Sequence, residues 1–175
     1  MGSHNAKDFQ ALSMALLTVS DTRGLAEDTS GAALAERIEE SGHKLNARDI
    51  VTDDLYSLRA VVAAWIADKS IDAIIINGGT GMTQRDVTPE AISPLFDRCI
   101  EGFGELFRHI SFTEIGPATL QSRALAGIAN ATLIFAVPGS PGACCTAWDK
   151  ILAHQLDARS KPCNFANLLP RIRVA

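Results

Sequence analysis

Ile71-Asp72-Ala73-Ile74-Ile75-Ile76-Asn77-Gly78-Gly79-Thr80-Gly81 is the stretch whose reading decides the fold. Ile71 to Ile76 is nearly all apolar and lacks the alternation of a half-exposed strand, as expected of a parallel strand covered on both faces. The run passes directly into glycines, which let successive backbone N–H groups turn toward an anion with no side chain intervening. A loop at that end of a strand is well placed for a ligand. It is not a Walker A loop, because no Gly-Lys-Ser/Thr follows, and Gln84 stands where the dinucleotide fingerprint needs its third glycine. Taken alone, Gly78-Gly79-Thr80-Gly81 reads as a phosphate cradle or equally as an ordinary tight turn.

Working outward, Leu16-Leu17-Thr18-Val19 reads as a buried strand ending at Ser20-Asp21. A helix should follow, with Thr29 or Ser30 as its cap, Leu34 and Ile38 on one face and Gly42 as a left-handed stop. A second strand is expected around Ala47 to Val51. Leu55, Leu58, Val62, Trp65 and Ile66 then recur at helical spacing, with Thr52, Asp53 or Asp54 available to cap. Thr88-Pro89-Glu90-Ala91 has the form of a helix start, with Thr88 as cap and Pro89 in the first turn. Another helix is predicted from Gly104 to about Phe112. The last strong strand is Thr132 to Val137, turned by Pro138-Gly139-Ser140-Pro141-Gly142 into a helix carrying Trp148, Ile151 and Leu152. Trp65 and Trp148 belong to the core on this reading, and the tail from Ser160, with Pro162 and Pro170, reads as irregular. Strands alternating with helices define an α/β class: three layers, a mostly parallel central sheet with helices on both faces, Rossmann-like in the broad sense.

The 175 residues, 47% of them hydrophobic, suit one domain that buries roughly two thirds of its unfolded surface. Met1-Gly2-Ser3-His4 resembles an expression-tag remnant, so His4 stays outside any site. The expected division is a remnant and N-terminal tail over 1–13, a single domain over 14–169 and a C-terminal tail over 170–175. With no apolar run near the about 20 residues that span a bilayer and no signal-peptide pattern, a cytoplasmic location without membrane association is expected. The net charge of −4 and the scattered Lys and Arg offer no basic stripe for a phosphate backbone, which argues against nucleic acid as a partner. Cys99, Cys144, Cys145 and Cys163 show no C-x-x-C spacing and are expected to be reduced.

Thr83, Arg85 and Asp86 lie within five residues of the glycine loop, a density of polar groups that a mere connection does not require. An aspartate beside a phosphate repels it unless a cation intervenes. Mg²⁺ bridging Asp86 and phosphate oxygens removes the conflict, since that ion favours hard oxygen ligands. The competing reading of Asp86 is a cap or a surface ion pair. Asp53 and Asp54 end the second strand on the same sheet edge, where one carboxylate could share the metal or simply start the next helix. Ser20 and Asp21 lie there too. Pro138-Gly139-Ser140 could form a second phosphate-binding wall, although a helix entry calls for similar residues. No Gly-x-Ser-x-Gly elbow exists and the histidines form no ligand pair, so hydrolase and zinc chemistry find little support.

Ile75-Ile76-Asn77-Gly78-Gly79-Thr80-Gly81, Arg85-Asp86-Val87-Thr88-Pro89-Glu90-Ala91, Glu101-Gly102-Phe103-Gly104-Glu105-Leu106-Phe107-Arg108 and Pro138-Gly139-Ser140 together resemble the MoaB/Mog family of molybdopterin-binding proteins. The resemblance runs from about Ala15 to Leu169. Leu120-Gln121-Ser122-Arg123-Ala124 and Lys161-Pro162-Cys163-Asn164-Phe165 resemble the MoaB branch in particular. It implies a molybdopterin-binding domain that assembles as a trimer or hexamer and works beside other molybdenum cofactor assembly proteins. It further implies adenylylation of molybdopterin by Mg²⁺-ATP with release of pyrophosphate. On this resemblance Asp53 and Asp86 are the catalytic, Mg²⁺-holding acids. Substrate-binding residues would be Ser20, Asp21, Gly78, Gly79, Thr80, Gly81, Arg85, Ser122, Arg123, Pro138, Gly139 and Ser140. Because some MoaB-branch proteins lack the acid after the glycine loop and are regarded as inactive, the rival expectation is a pterin carrier without chemistry. Here both acids are present.

Overall fold

The computed structural model describes residues 8–22 and 24–173. The tag-like start, including His4, and the last two residues lie outside the described residues. Six strands form one sheet in the order β2-β1-β3-β6-β5-β4. β1 (Ser13–Val19), β2 (Lys44–Val51), β3 (Ala73–Asn77) and β6 (Thr132–Val137) run parallel, while β5 (Leu125–Ala129) pairs antiparallel with both β6 and β4 (Arg98–Cys99). The expected mostly parallel sheet is therefore present. Its antiparallel edge was not anticipated from the sequence.

Alternate residues of the buried strands feed two separate cores, as a period-2 backbone requires. Leu16, Ile75 and Phe135 face one side, packed on α1 (Thr29–Glu40), α4 (Glu101–Ile115), the α5 segment (Pro141–Ala147) and α7 (Phe165–Ile172). Leu17, Ile74 and Ile134 face the other, packed on α2 (Leu55–Ala67) and α3 (Thr88–Ile92). Burying both faces is why the central strands read as unbroken apolar runs. Trp148 is buried in the first core; Trp65 packs only partly buried against the second.

Several element ends differ from expectation for local reasons. The cap of α1 is Asp28, not Thr29 or Ser30; its carboxylate accepts from the Gly31 N–H at 2.8 Å. Ser30 instead donates its hydroxyl to the Gly139 carbonyl, 2.7 Å away. Asp54 caps α2, accepting from Ser57 N–H at 2.8 Å. α3 starts from Val87 with no side-chain cap, and α4 is longer than predicted at both ends. After the α5 segment a π turn at Trp148–Leu152 and a short helix at Ala153–Gln155 continue the chain. The stretch after Ser160 is not irregular throughout: α7 runs through Pro170 to Ile172 and buries Ala166 and Leu169. Among the described residues no helix is long and apolar enough to cross a membrane.

The order β2-β1-β3 reverses direction between β1 and β3, so the segments leaving those strands diverge and leave a crevice at the carboxyl edge. Every candidate residue before Ser122 except those of the α3 connection follows one of β1, β2 or β3 directly there.

Candidate active site

The glycine loop leaves β3 in a backbone conformation that side chains rarely adopt. Gly78 has φ +102° and Gly79 φ +61°, and a β-carbon on Gly78 would stand 2.3 Å from the Val19 carbonyl oxygen at the end of β1. Glycine is thus demanded by both the backbone torsion and the close approach of two strand ends.

All four loop carbonyls are used in holding the loop. Gly78 O accepts the Thr88 hydroxyl at 2.8 Å, and Gly79 O accepts Thr88 N–H at 2.9 Å. Thr80 O accepts Arg123 N–H at 3.1 Å, and Gly81 O accepts Arg123 Nε–H at 2.7 Å. Thr88, buried completely, therefore serves the loop rather than capping its helix. Among the described residues no acceptor is found for the N–H groups of Gly79 and Thr80. A loop with its carbonyls engaged and such donors left over is suited to an anion.

Two carboxylates approach this loop closely. A β-carbon on Gly79 would lie 2.9 Å from Asp53 Oδ1, and one on Gly81 would lie 2.8 Å from Asp86 Oδ2. Because Asp54 takes the capping duty, Asp53 is left facing the loop. Burial pushes the Asp53 carboxyl above its ordinary range, and the negative charges of Asp21 and Asp86 push it further, against the opposing pull of Arg85. Asp86 shifts the other way: burial raises it, but the Thr83 hydroxyl and N–H, the Gly81 N–H and the charge of Arg123 together outweigh that. Its Oδ2 accepts the Thr83 hydroxyl at 2.6 Å and Thr83 N–H at 2.8 Å. Asp21 is held low by its ion pair with Arg85 and by the Asp53 N–H, which it accepts at 3.1 Å.

A cleft of about 510 Å³ opens beside the loop. Gly78 to Gly81 and Asp86 form one wall, and Pro138, Gly139 and Ser140 at the end of β6 form another. α4 and the 3-10 turn at Gly116–Gln121 supply a further wall that includes Phe107, Ser111, Glu114, Ile115 and Thr119, and Ser122 closes the lining. Behind Gly139, the buried Asp28 carboxylate accepts the Thr18 hydroxyl at 2.7 Å and pairs with Arg48 at 3.1 Å, fixing the start of α1 whose Ser30 grips that loop.

The structure thus gathers Gly78, Gly79, Thr80, Gly81, Asp86, Ser122, Pro138, Gly139 and Ser140 around one cleft, with Asp53 and Asp21 beside the loop. Ser20 stands at the start of the neighbouring connection, its N–H bonded to Val51 O at 2.9 Å. Arg85 is paired to Asp21 on the rim. Arg123 does not line the cleft: its guanidinium braces the loop through Gly81 O, Asp86 O and the Glu90 carboxylate. The wall from α4 and the 3-10 turn was missed from sequence except for Ser122. Its signal was only that Ser111 and Glu114 interrupt an otherwise apolar helical face.

These features define a three-layer α/β protein with a glycine loop set beside carboxylates at a sheet switch point. A family described as "Probable molybdopterin binding domain" matches residues 15–158, and the chain belongs to it. It is 54% identical over 163 residues to Molybdenum cofactor biosynthesis protein B of Escherichia coli strain K12, covering 93% of this chain and 96% of that protein. A crystal structure of a Molybdenum cofactor biosynthesis protein B superimposes with a TM-score of 0.87 at 37% identity, covering 97% of this chain and 100% of the other. The tungsten cofactor synthesizing protein MoaB from Pyrococcus furiosus does so with a TM-score of 0.77 at 33% identity, covering 94% and 98%.

Proposed function

We propose that the cleft binds molybdopterin and that the protein adenylylates it with Mg²⁺-ATP. The terminal phosphate oxygen of molybdopterin attacks the α-phosphorus of ATP. A new P–O bond forms, the bond to the bridging oxygen between the α- and β-phosphorus breaks, and pyrophosphate leaves. The attacking group is already an anion, so no side-chain nucleophile is needed. The chain's own work is to bind the phosphates on the loop N–H groups, orient them and keep the two reacting groups in register.

The observation that carries this reading is the close approach of Asp53 to Gly79 and of Asp86 to Gly81, with Asp53 crowded by like charges. Such a donor set suits a hard divalent cation, which commonly takes one or two carboxylates and completes its shell with water and substrate phosphate. Among the described residues no group of three or more His, Cys, Asp or Glu could hold a metal, so phosphate oxygens would have to complete such a site. Asp53 and Asp86 would hold Mg²⁺, which supplies charge neutralisation at the transferring phosphoryl group when bound.

The second reading, a carrier that holds molybdopterin without chemistry, is favoured by the same want of a third metal-holding residue. Thermal melting separates the two. Adenylylation predicts that Mg²⁺-ATP raises the melting temperature and that Asp86→Asn removes the effect. A rise with molybdopterin alone, and none with Mg²⁺-ATP, leaves only the carrier.

With this reading go a cytoplasmic location and a homo-oligomer, trimer or hexamer. Supporting assembly, α4 and the following turn leave Leu106, Phe112, Ile115 and Leu120 exposed. Light scattering that returns the monomer mass contradicts the oligomer.

A further inference from the structure

The cleft carries a second carboxylate that phosphate binding does not explain. Glu114, near the end of α4, lines the wall away from the glycine loop, among Phe107, Ile115 and Ala118. Its Oε2 accepts the Thr146 hydroxyl at 2.8 Å, a bond from the α5 segment across to α4 that holds one carboxylate oxygen in place. Among the described residues lining this cleft there is no Lys, Arg or His. A carboxylate accepts hydrogen bonds and cannot donate them, and after the Thr146 bond it still has lone pairs on both oxygens.

On the reading that this cleft takes a phosphorylated heterocycle, we infer that Glu114 is the specificity residue for its ring. It accepts two N–H groups side by side, an exocyclic amino group next to a ring N–H. Pterins and guanine present that edge. Adenine does not, since its amino group neighbours a ring acceptor, and lumazine does not, since a carbonyl replaces the amino group. Two parallel N–H···O bonds to one carboxylate give orientation as well as affinity. Phe107 and Ile115 supply apolar surface beside the ring, and Thr146 is a positioning residue acting through Glu114.

The test is a titration of the full chain with unphosphorylated pterin, lumazine, guanosine and adenosine, repeated on Glu114→Gln and Thr146→Val. Glu114 is exposed on its helix, so the glutamine variant should fold, and circular dichroism checks that it does. Wild type should prefer pterin over lumazine by about tenfold or more, the scale of hydrogen bonds to a charged group. Glu114→Gln, whose amide matches the carbonyl and N–H of lumazine, should erase or invert that ratio. Thr146→Val should reduce it.

An unchanged pterin-to-lumazine ratio in Glu114→Gln overturns the inference while leaving the pterin reading intact. Preference for guanosine over pterin, lost in Glu114→Gln, keeps the inference and removes the pterin reading. No binding of any donor–donor ring to wild type overturns both.

Discussion

The carboxylate of Asp53 and the backbone of Gly79 approach so closely that a β-carbon on Gly79 would sit 2.9 Å from Asp53 Oδ1. The same carbon would lie 2.4 Å from the Thr88 hydroxyl oxygen, in a backbone of φ +61°. Gly79→Ala is therefore expected to destabilise the protein by at least about 1–2 kcal/mol from the left-handed backbone alone. Phosphate-ligand affinity should fall as well, because the loop must shift. Gly102→Ala, where a β-carbon meets nothing within 4 Å, is the control and should be neutral or mildly stabilising in thermal melting.

Asp53 and Asp86 should respond to pH with opposite signs. The folded state raises Asp53, so its contribution to stability is greatest in acid and is lost as pH rises through its folded pKa. Asp86 is lowered, so its contribution is present at neutral pH and is lost as pH falls through its folded pKa. Asp53→Asn should thus raise the melting temperature at pH 7, with the gain shrinking in acid, while adenylylation is lost. Asp86→Asn should lower the melting temperature at neutral pH. Adding Mg²⁺ should stabilise wild type and leave Asp53→Asn unmoved; a lower melting temperature for Asp53→Asn at pH 7 contradicts the electrostatic account.

Arg123 ties three pieces of chain together. Its Nε–H donates to Gly81 O at 2.7 Å, one terminal nitrogen donates to Asp86 O and the other pairs with Glu90. A lysine offers one compact ammonium and cannot reproduce the fork. Arg123→Lys should cost on the order of 1–3 kcal/mol and weaken phosphate-ligand binding. Denaturant unfolding with ligand titration checks both, and unchanged affinity contradicts its role as a brace.

Asn77 closes β3 fully buried, and among the described residues neither its amide nitrogen nor its oxygen has a hydrogen-bond partner. Unpartnered buried amides cost about 1–3 kcal/mol each. Asn77→Leu, similar in shape, should match or exceed wild type in melting temperature. A fall of several degrees would show that the amide has a partner in solution.

Much of this was legible beforehand because buried parallel strands cannot hide. Ile74-Ile75-Ile76 and Leu133-Ile134-Phe135 announce themselves by composition, and the loops that follow inherit their place at the sheet edge. β5 escaped notice because Leu125-Ala-Gly-Ile-Ala is short and weakly apolar, and its hairpin turns at Asn130-Ala131, with φ of 45° and 62°, rather than at a glycine. Capping was ambiguous wherever two candidates were adjacent. Asp53 and Asp54 differ by one position, and only the packed structure assigns one to the helix and the other to the loop. Sequence spacing does not say which way a long side chain turns, and the Arg123 guanidinium turns to Gly81 O, Asp86 O and Glu90. Glu114 gave almost no local signal, because its partner Thr146 lies 32 residues away.

Nucleotidyl transfer is the role proposed for Asp53 and Asp86. Its most direct measurement is pyrophosphate release from protein mixed with molybdopterin, ATP and Mg²⁺. Wild type should release pyrophosphate above background, dependent on molybdopterin and Mg²⁺, and both Asp53→Asn and Asp86→Asn should lose it. Background-level release by folded wild type, or full release by Asp86→Asn, contradicts it.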